Sequence, residues 1–112
     1  MAKLDADIKA TVAENERQAK FMNVTVDEYM KAKAASGRAY ASCKVGAEAR
    51  AKYDYKADWI PSYIWTVKDK VISVVGHDLR MQNGFGVFGS VTYFCDYSMV
   101  SDRVTSVLIN QD

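Results

Sequence analysis

The stretch "WIPSYIWTVKDKVISVVGHDLRM", residues 59–81, decides how this chain is read. Aromatic and β-branched residues alternate with polar ones on both sides of the short polar step Lys68–Asp69–Lys70, which is the pattern of two strands joined by a tight turn. Residues 59–67 form the first strand, with Pro61 near its start pointing to a sheet edge, where a missing N–H is tolerated. Residues 71–81 form the second.

Working outward, "VFGSVTYFCDY" (87–97) and "RVTSVLIN" (103–110) repeat the alternation. The connectors between the strands are short, so consecutive strands pair antiparallel in a meander. Between the second and third lies "QNGFG", with Gly84 and Gly86 supplying backbone freedom, Asn83 tolerating a left-handed conformation, and Phe85 placed to turn inward as a plug. Gln82, Asn83, Gly84, Phe85 and Gly86 are thus expected to form a structural turn.

Upstream of the strands the period changes to that of helices. Residues 4–22 carry a thin apolar stripe, Leu4, Ile8, Val12, Ala19 and Met22, against Lys9, Glu16, Arg17 and Lys20. At "MNVTVDEYM" Thr25 is an N-cap, Glu28 is spaced to complete a capping box, and Val24 and Tyr29 are spaced as a hydrophobic staple. A second helix then runs from Val26 to about Tyr53. Tyr29, Ala32, Ser36, Tyr40, Cys43, Ala47 and Ala51 share one of its faces. Most of these are small, so the helix can lie close to a sheet, while Gly37 is a candidate kink.

The expected fold class is therefore α+β: amino-terminal helices packed on one face of a four-stranded antiparallel meander sheet. A chain of 112 residues, 49% of them apolar, suits one domain. Residues 1–24 are its amino-terminal helix, mobile or pairing with its own copy, and 25–112 are the helix plus sheet.

Fifteen basic against fourteen acidic residues leave no global field toward nucleic acid or an anionic membrane. Residues 17–33 resemble a helix-turn-helix only superficially, because Asp27 and Glu28 open the second helix where phosphates would approach. No apolar run reaches the length of a membrane helix, and the charged amino terminus lacks the pattern of a secretory signal. The expected location is cytoplasmic, or periplasmic or exported if a leader was removed.

Two cysteines and one histidine fall short of the four ligands of a structural zinc site, so no metal and no cofactor are expected. Cys43 lies on the buried helical face, and Cys95 alternates with Val91, Tyr93 and Tyr97 on one face of the third strand. Both can point into one core. There they are either packed thiols or a disulfide, and the redox compartment decides which.

His77 beside Asp78 suggests acid-base chemistry, but adjacent strand residues point to opposite faces and do not cooperate. Asp54, Asp58, Asp69, Asp78, Asp96 and Asp102 fall near strand ends or turns, where Asp forms local hydrogen bonds.

In order along the chain come a helical cysteine (Cys43), Ala57–Asp58–Trp59, the Gln82–Gly86 turn, and Tyr93 with Cys95. This order resembles a family of small, uncharacterised bacterial and phage domains with a "C…A-D-F…QN-FGA…R…Y-x-C" pattern, often exported or lipid-anchored. The likeness covers residues 40–97. It implies that Cys43 pairs with Cys95, tying helix to sheet, and implies no reaction. Asp54 stands where the family has proline, Arg80 where it has an acid, and Ser90 where it has arginine.

Aromatic residues crowd the strands, and a sheet covered on one side leaves the other open. They either line the core and cross-strand ladders or form a contact surface. Trp59, Tyr63, Trp65, Phe94 and Arg80 are the candidate partner-binding residues. The expected function is a small non-enzymatic module that binds a protein, in its most concrete form a phage or mobile-element inhibitor of a host defence protein. The alternatives are a structural, oligomerising domain of an exported or envelope-associated protein, with a homodimer through the first helix, and an enzyme using His77 or a cysteine.

Overall fold

The computed structural model describes residues 2–111, with side chains from Asp7 onward, so the Leu4 end of the first stripe lies outside the described side chains. Two helices, α1 (Ala2–Met22) and α2 (Val26–Glu48), precede β1 (Tyr55–Ala57), β2 (Tyr63–Lys68), β3 (Val71–Gln82), β4 (Phe88–Ser98) and β5 (Arg103–Gln111). Every strand pairing is antiparallel.

The α1–α2 corner is set by local hydrogen bonding. Asn23 adopts a left-handed φ of 60°, and Asn23 N and Val24 N donate to Lys20 O and Ala19 O, the Schellman arrangement that ends a helix. Thr25 Oγ1 then accepts from Glu28 N at 3.1 Å and starts α2. The capping box is not completed. Glu28 Oε1 instead accepts from Lys70 N at 2.8 Å, tying the start of α2 to the β2–β3 turn. Helix α2 passes through Gly37 as one segment and ends at Glu48, five residues short of the expected Tyr53.

Among the described residues there are five strands where four were expected, and the extra one is β1. It is three residues long, exposed throughout, and pairs only with Leu79–Met81 at the far end of β3. Strand β3 is long enough to take both β2 (along Val71–Gly76) and β1 on one edge and β4 on the other. The order β1-β3-β4-β5, with β2 beside the first half of β3, makes the sheet at most four strands wide. Asp69 and Lys70 take φ of 51° and 63°, the two successive left-handed residues of the tightest hairpins.

The core lies between α2 and one sheet face. Ala32, Ala35, Ala39, Cys43 and Ala47 form its helical side, while Ile72, Val74, Leu79, Val91, Tyr93, Cys95 and Tyr97 form its sheet side. Ser36 and Tyr40, expected on the central line, sit half-buried beside it. Of the α1 stripe, Ala19 is buried and Met22 half-buried. Ile8 and Val12 stay exposed and border a shallow depression shared with Met30 of α2.

Candidate functional site

Two links between α2 and the sheet organise the inner face. The first is a disulfide from Cys43 to Cys95, with Cα atoms 5.7 Å apart, between α2 and the middle of β4. The second is built on Asp78. A register irregularity between Gly76 and Leu79 lets both Asp78 and Leu79 face inward, and the Asp78 side chain is fully buried.

Three donors meet the Asp78 carboxylate. Tyr93 Oη of β4 donates to Oδ1 at 2.7 Å, and Tyr40 Oη of α2 donates to Oδ2. Lys44 Nζ, one helical turn beyond Tyr40, lies 3.4 Å from Oδ2 and donates to Tyr40 Oη at 3.2 Å. The Tyr40 ring stacks on Tyr63 of β2 with centroids 4.0 Å apart. Among the described residues, no buried side-chain nitrogen or oxygen is left without a partner.

The titration shifts show what this cluster is suited to. Burial pushes the Asp78 pKa up, but the bonds from Tyr40 and Tyr93 and the Lys44 charge outweigh it and hold the carboxyl below its ordinary value. Tyr93 and Tyr40 are raised, first by burial and then by the bond to Asp78. Lys44 is also raised. Burial alone would lower it, but Tyr40 and Asp78 more than compensate. All four shifts favour the charged carboxylate and ammonium and the neutral phenols. The cluster therefore holds fixed charges and hydrogen bonds in place, as a latch between α2, β3 and β4.

The other residues singled out from sequence are scattered. His77 is exposed on the opposite face from Asp78, with Nδ1 3.2 Å from Thr92 Oγ1. Both cysteines are in the disulfide, so neither is a thiol. Among the described residues, no three His, Cys, Asp or Glu side chains gather as a metal site. A groove between the start of α2 and the turns at Lys70 and Met99 is lined by Lys31, Arg38 and Glu28. These are engaged with Asp27, Asp102 and Lys70 N respectively.

The turn after β3 forms as expected in place, by a different device. Asn83 Oδ1 accepts from Phe85 N (2.8 Å) and Val87 N (3.1 Å), Gln82 Nε2 donates to Gly86 O (3.3 Å), and Gly86, at φ 80°, supplies the left-handed residue. Asn83 is not left-handed. Phe85 is not a plug either: it is 94% exposed, because the Asn83 amide already fills the loop with hydrogen bonds.

The expected binding residues divide between the two faces. Tyr63 and Trp65 alternate with buried Val67 and so face α2, where Trp65 stacks on Tyr29 with centroids 5.6 Å apart. They do not lie on the open face. Phe94 does, together with Arg80, whose Nε is 3.6 Å from Asp58 Oδ1, and Trp59 projects from the β1–β2 loop at 94% exposure. Tyr93 and Tyr97 belong to the core.

The open face carries a feature that sequence alone did not single out. Ile64 pairs with Val75, Val75 with Phe94, and Phe94 with Leu108, so four apolar side chains stand in register across β2, β3, β4 and β5. Ile64 is 65%, Phe94 40% and Leu108 63% exposed. On one side runs a polar row, Thr66, Ser73, Asp96 and Ser106, paired in the same way. The signal for the row was the period-two alternation itself, but the register that aligns its members is a tertiary property.

No family model, no curated protein and no solved structure matches this chain. The likeness to small bacterial and phage domains therefore rests on the short motifs around Cys43, Asp58, the Gln82–Gly86 turn and Cys95. No helix among the described residues is long and apolar enough to cross a membrane.

Proposed function

We propose that the chain is a small protein-binding module that engages a protein partner through the outer face of its sheet. The observation that supports this reading is the outer-face row of exposed Ile64, Phe94 and Leu108 with half-buried Val75, held in register by three strand pairings. An aligned apolar stripe rimmed by polar residues is the composition of a protein contact, whereas scattered exposed apolar residues are ordinary. Trp59, fully presented at the loop beside β2, adds an aromatic anchor of the kind that dominates binding energy. The disulfide and the Asp78 latch serve this surface by holding the sheet rigid from behind. An inhibitor of a host protein is the narrower form of the same reading and would use the same face. The Cys43–Cys95 disulfide favours an oxidising compartment over the cytoplasm expected from the charged amino terminus.

The test is matched capture with the wild-type chain and with the double variant Ile64→Ser, Phe94→Ser as bait. Both must show the same circular dichroism and the same intact disulfide. A partner retained by the wild type and lost by the variant is the expected result. Equal retention by both, or nothing above background with either, would refute the reading.

A further inference from the structure

Strand β5 is a free edge of the sheet, and it is not protected as the opposite edge is. A sheet edge presents a row of N–H and C=O groups, and proteins keep such rows from pairing with charges, prolines or very short strands. Pro61 just before β2, Lys68 at its end and Lys56 in the three-residue β1 do this on one side. After Arg103, β5 has no such device: residues 104–111, "VTSVLINQ", contain no charge in a chain where 26% of residues are charged. A register shift between Asp96 and Tyr97 interrupts its start, but from Ser106 to Asn110 it runs regularly against β4.

That regular segment is symmetric in character about Leu108. Val107 and Ile109 flank it, and Ser106 and Asn110 lie outside them. If the strand pairs antiparallel with its own copy about a two-fold axis at Leu108, Leu108 meets Leu108, Val107 meets Ile109, and Ser106 meets Asn110. Residues directly opposite in an antiparallel pair share a face. The two Leu108 side chains would then join the apolar rows of both copies, so that Phe94, Val75 and Ile64 continue on either side of the seam. On the inner face Val107 and Ile109 are partly buried, and Gly46 lets α2 lie close over Val107, where a β-carbon would come within 3.2 Å of Cγ2.

We propose that two copies of this chain associate through β5, antiparallel and centred on Leu108, into one continuous sheet. The occupant is a second copy because the edge matches itself residue by residue. A seam of five residues is small beside the roughly 1,600 Å² of a standard interface, so the dimer forms and dissociates with concentration. The proposal stands independently of any foreign partner on the outer face.

Sedimentation velocity over a concentration series of the full chain tests it. The wild type is expected to show a reversible monomer–dimer equilibrium that Leu108→Lys abolishes, with circular dichroism and the Cys43–Cys95 disulfide unchanged. Ile64→Ser with Phe94→Ser, and separately Ile8→Lys with Val12→Lys, should leave the dimer intact. On mild oxidation Leu108→Cys alone should crosslink to itself. Ser106→Cys should crosslink only when mixed with Asn110→Cys. A wild type that is monomeric at every concentration, a dimer that survives Leu108→Lys, loss of the dimer with the Ile8 and Val12 changes, or efficient self-crosslinking of Ser106→Cys would each overturn the proposal.

Discussion

The ring of Tyr93 lies across Gly76 in the space that a β-carbon on residue 76 would take. The two residues pair directly between β4 and β3, and the missing side chain lets the phenol run along the sheet toward Asp78, two residues on. Burial of Asp78 thus depends on a glycine that is neither in a turn nor left-handed.

Gly76→Ala is expected to destabilise the fold by about 3 kcal/mol, at the upper end of overpacking costs. A fully buried Tyr93 cannot swing aside without losing its bond to Asp78. Urea unfolding monitored by tryptophan fluorescence measures it. A cost near zero would mean that the ring has room to move.

Gly37 is the opposite case. It sits in the exposed middle of α2 with open space where a β-carbon would go. Gly37→Ala is expected to stabilise by about 1 kcal/mol through helix propensity alone. The same urea series checks it.

Tyr93→Phe removes one of the donors to a buried carboxylate and is expected to cost about 2 kcal/mol. Lys44→Met should cost less, because Lys44 Nζ stands 3.4 Å away and its side chain is partly in water. A larger loss from Lys44→Met would reverse the roles assigned to the phenol and the ammonium.

Acid should loosen the latch. The folded Asp78 pKa is depressed, so in the window below the unfolded value of about 3.9 the unfolded chain binds the proton more readily. The stability that Asp78 contributes is complete above that window and is lost as pH falls through the folded pKa. Asp78→Asn should flatten this part of the pH–stability curve. At the alkaline end Tyr40, Tyr93 and Lys44 are raised, so their contribution is complete below about pH 10 and is lost above it. An unchanged acid limb in Asp78→Asn would assign the acid sensitivity to other carboxylates.

Reduction of the Cys43–Cys95 bond opens a loop spanning 52 residues and is expected to cost about 4 kcal/mol in the chain-entropy picture. Intact mass with and without reductant, after denaturing alkylation, reports the bond. Unfolding of both forms reports its worth.

Much of this architecture was legible in the residues because period-two alternation and small-residue helical spacing survive into the fold. Three of the expected strands and the first helix lie where those periods put them, whereas β2 begins at Tyr63, four residues after the expected Trp59, because Pro61 and the exposed residues before it do not join the ladder, and α2 stops at Glu48. Strand β1 escaped because three exposed residues have no period, and only the length of β3 recruits them. Alternation from Ile72 through Val74 and Gly76 carries Asp78 to the inner face rather than to the strand end or turn expected of it, and nothing local marks it as buried because its partners Tyr40, Lys44 and Tyr93 lie elsewhere in the sequence. The same alternation placed Tyr63 and Trp65 beside Val67, facing α2. The inward turn of Leu79 immediately after Asp78 comes from a bulge that no local pattern announces.

Hydroxyl-radical footprinting of the chain, alone and bound to a captured partner, probes the outer face directly. Ile64 and Phe94 should react readily in the free chain and become protected in the complex, while Tyr93 stays protected in both. Unreactive Ile64 and Phe94 in the free chain, or unchanged reactivity in the complex, would contradict an open sheet face that serves as the binding surface.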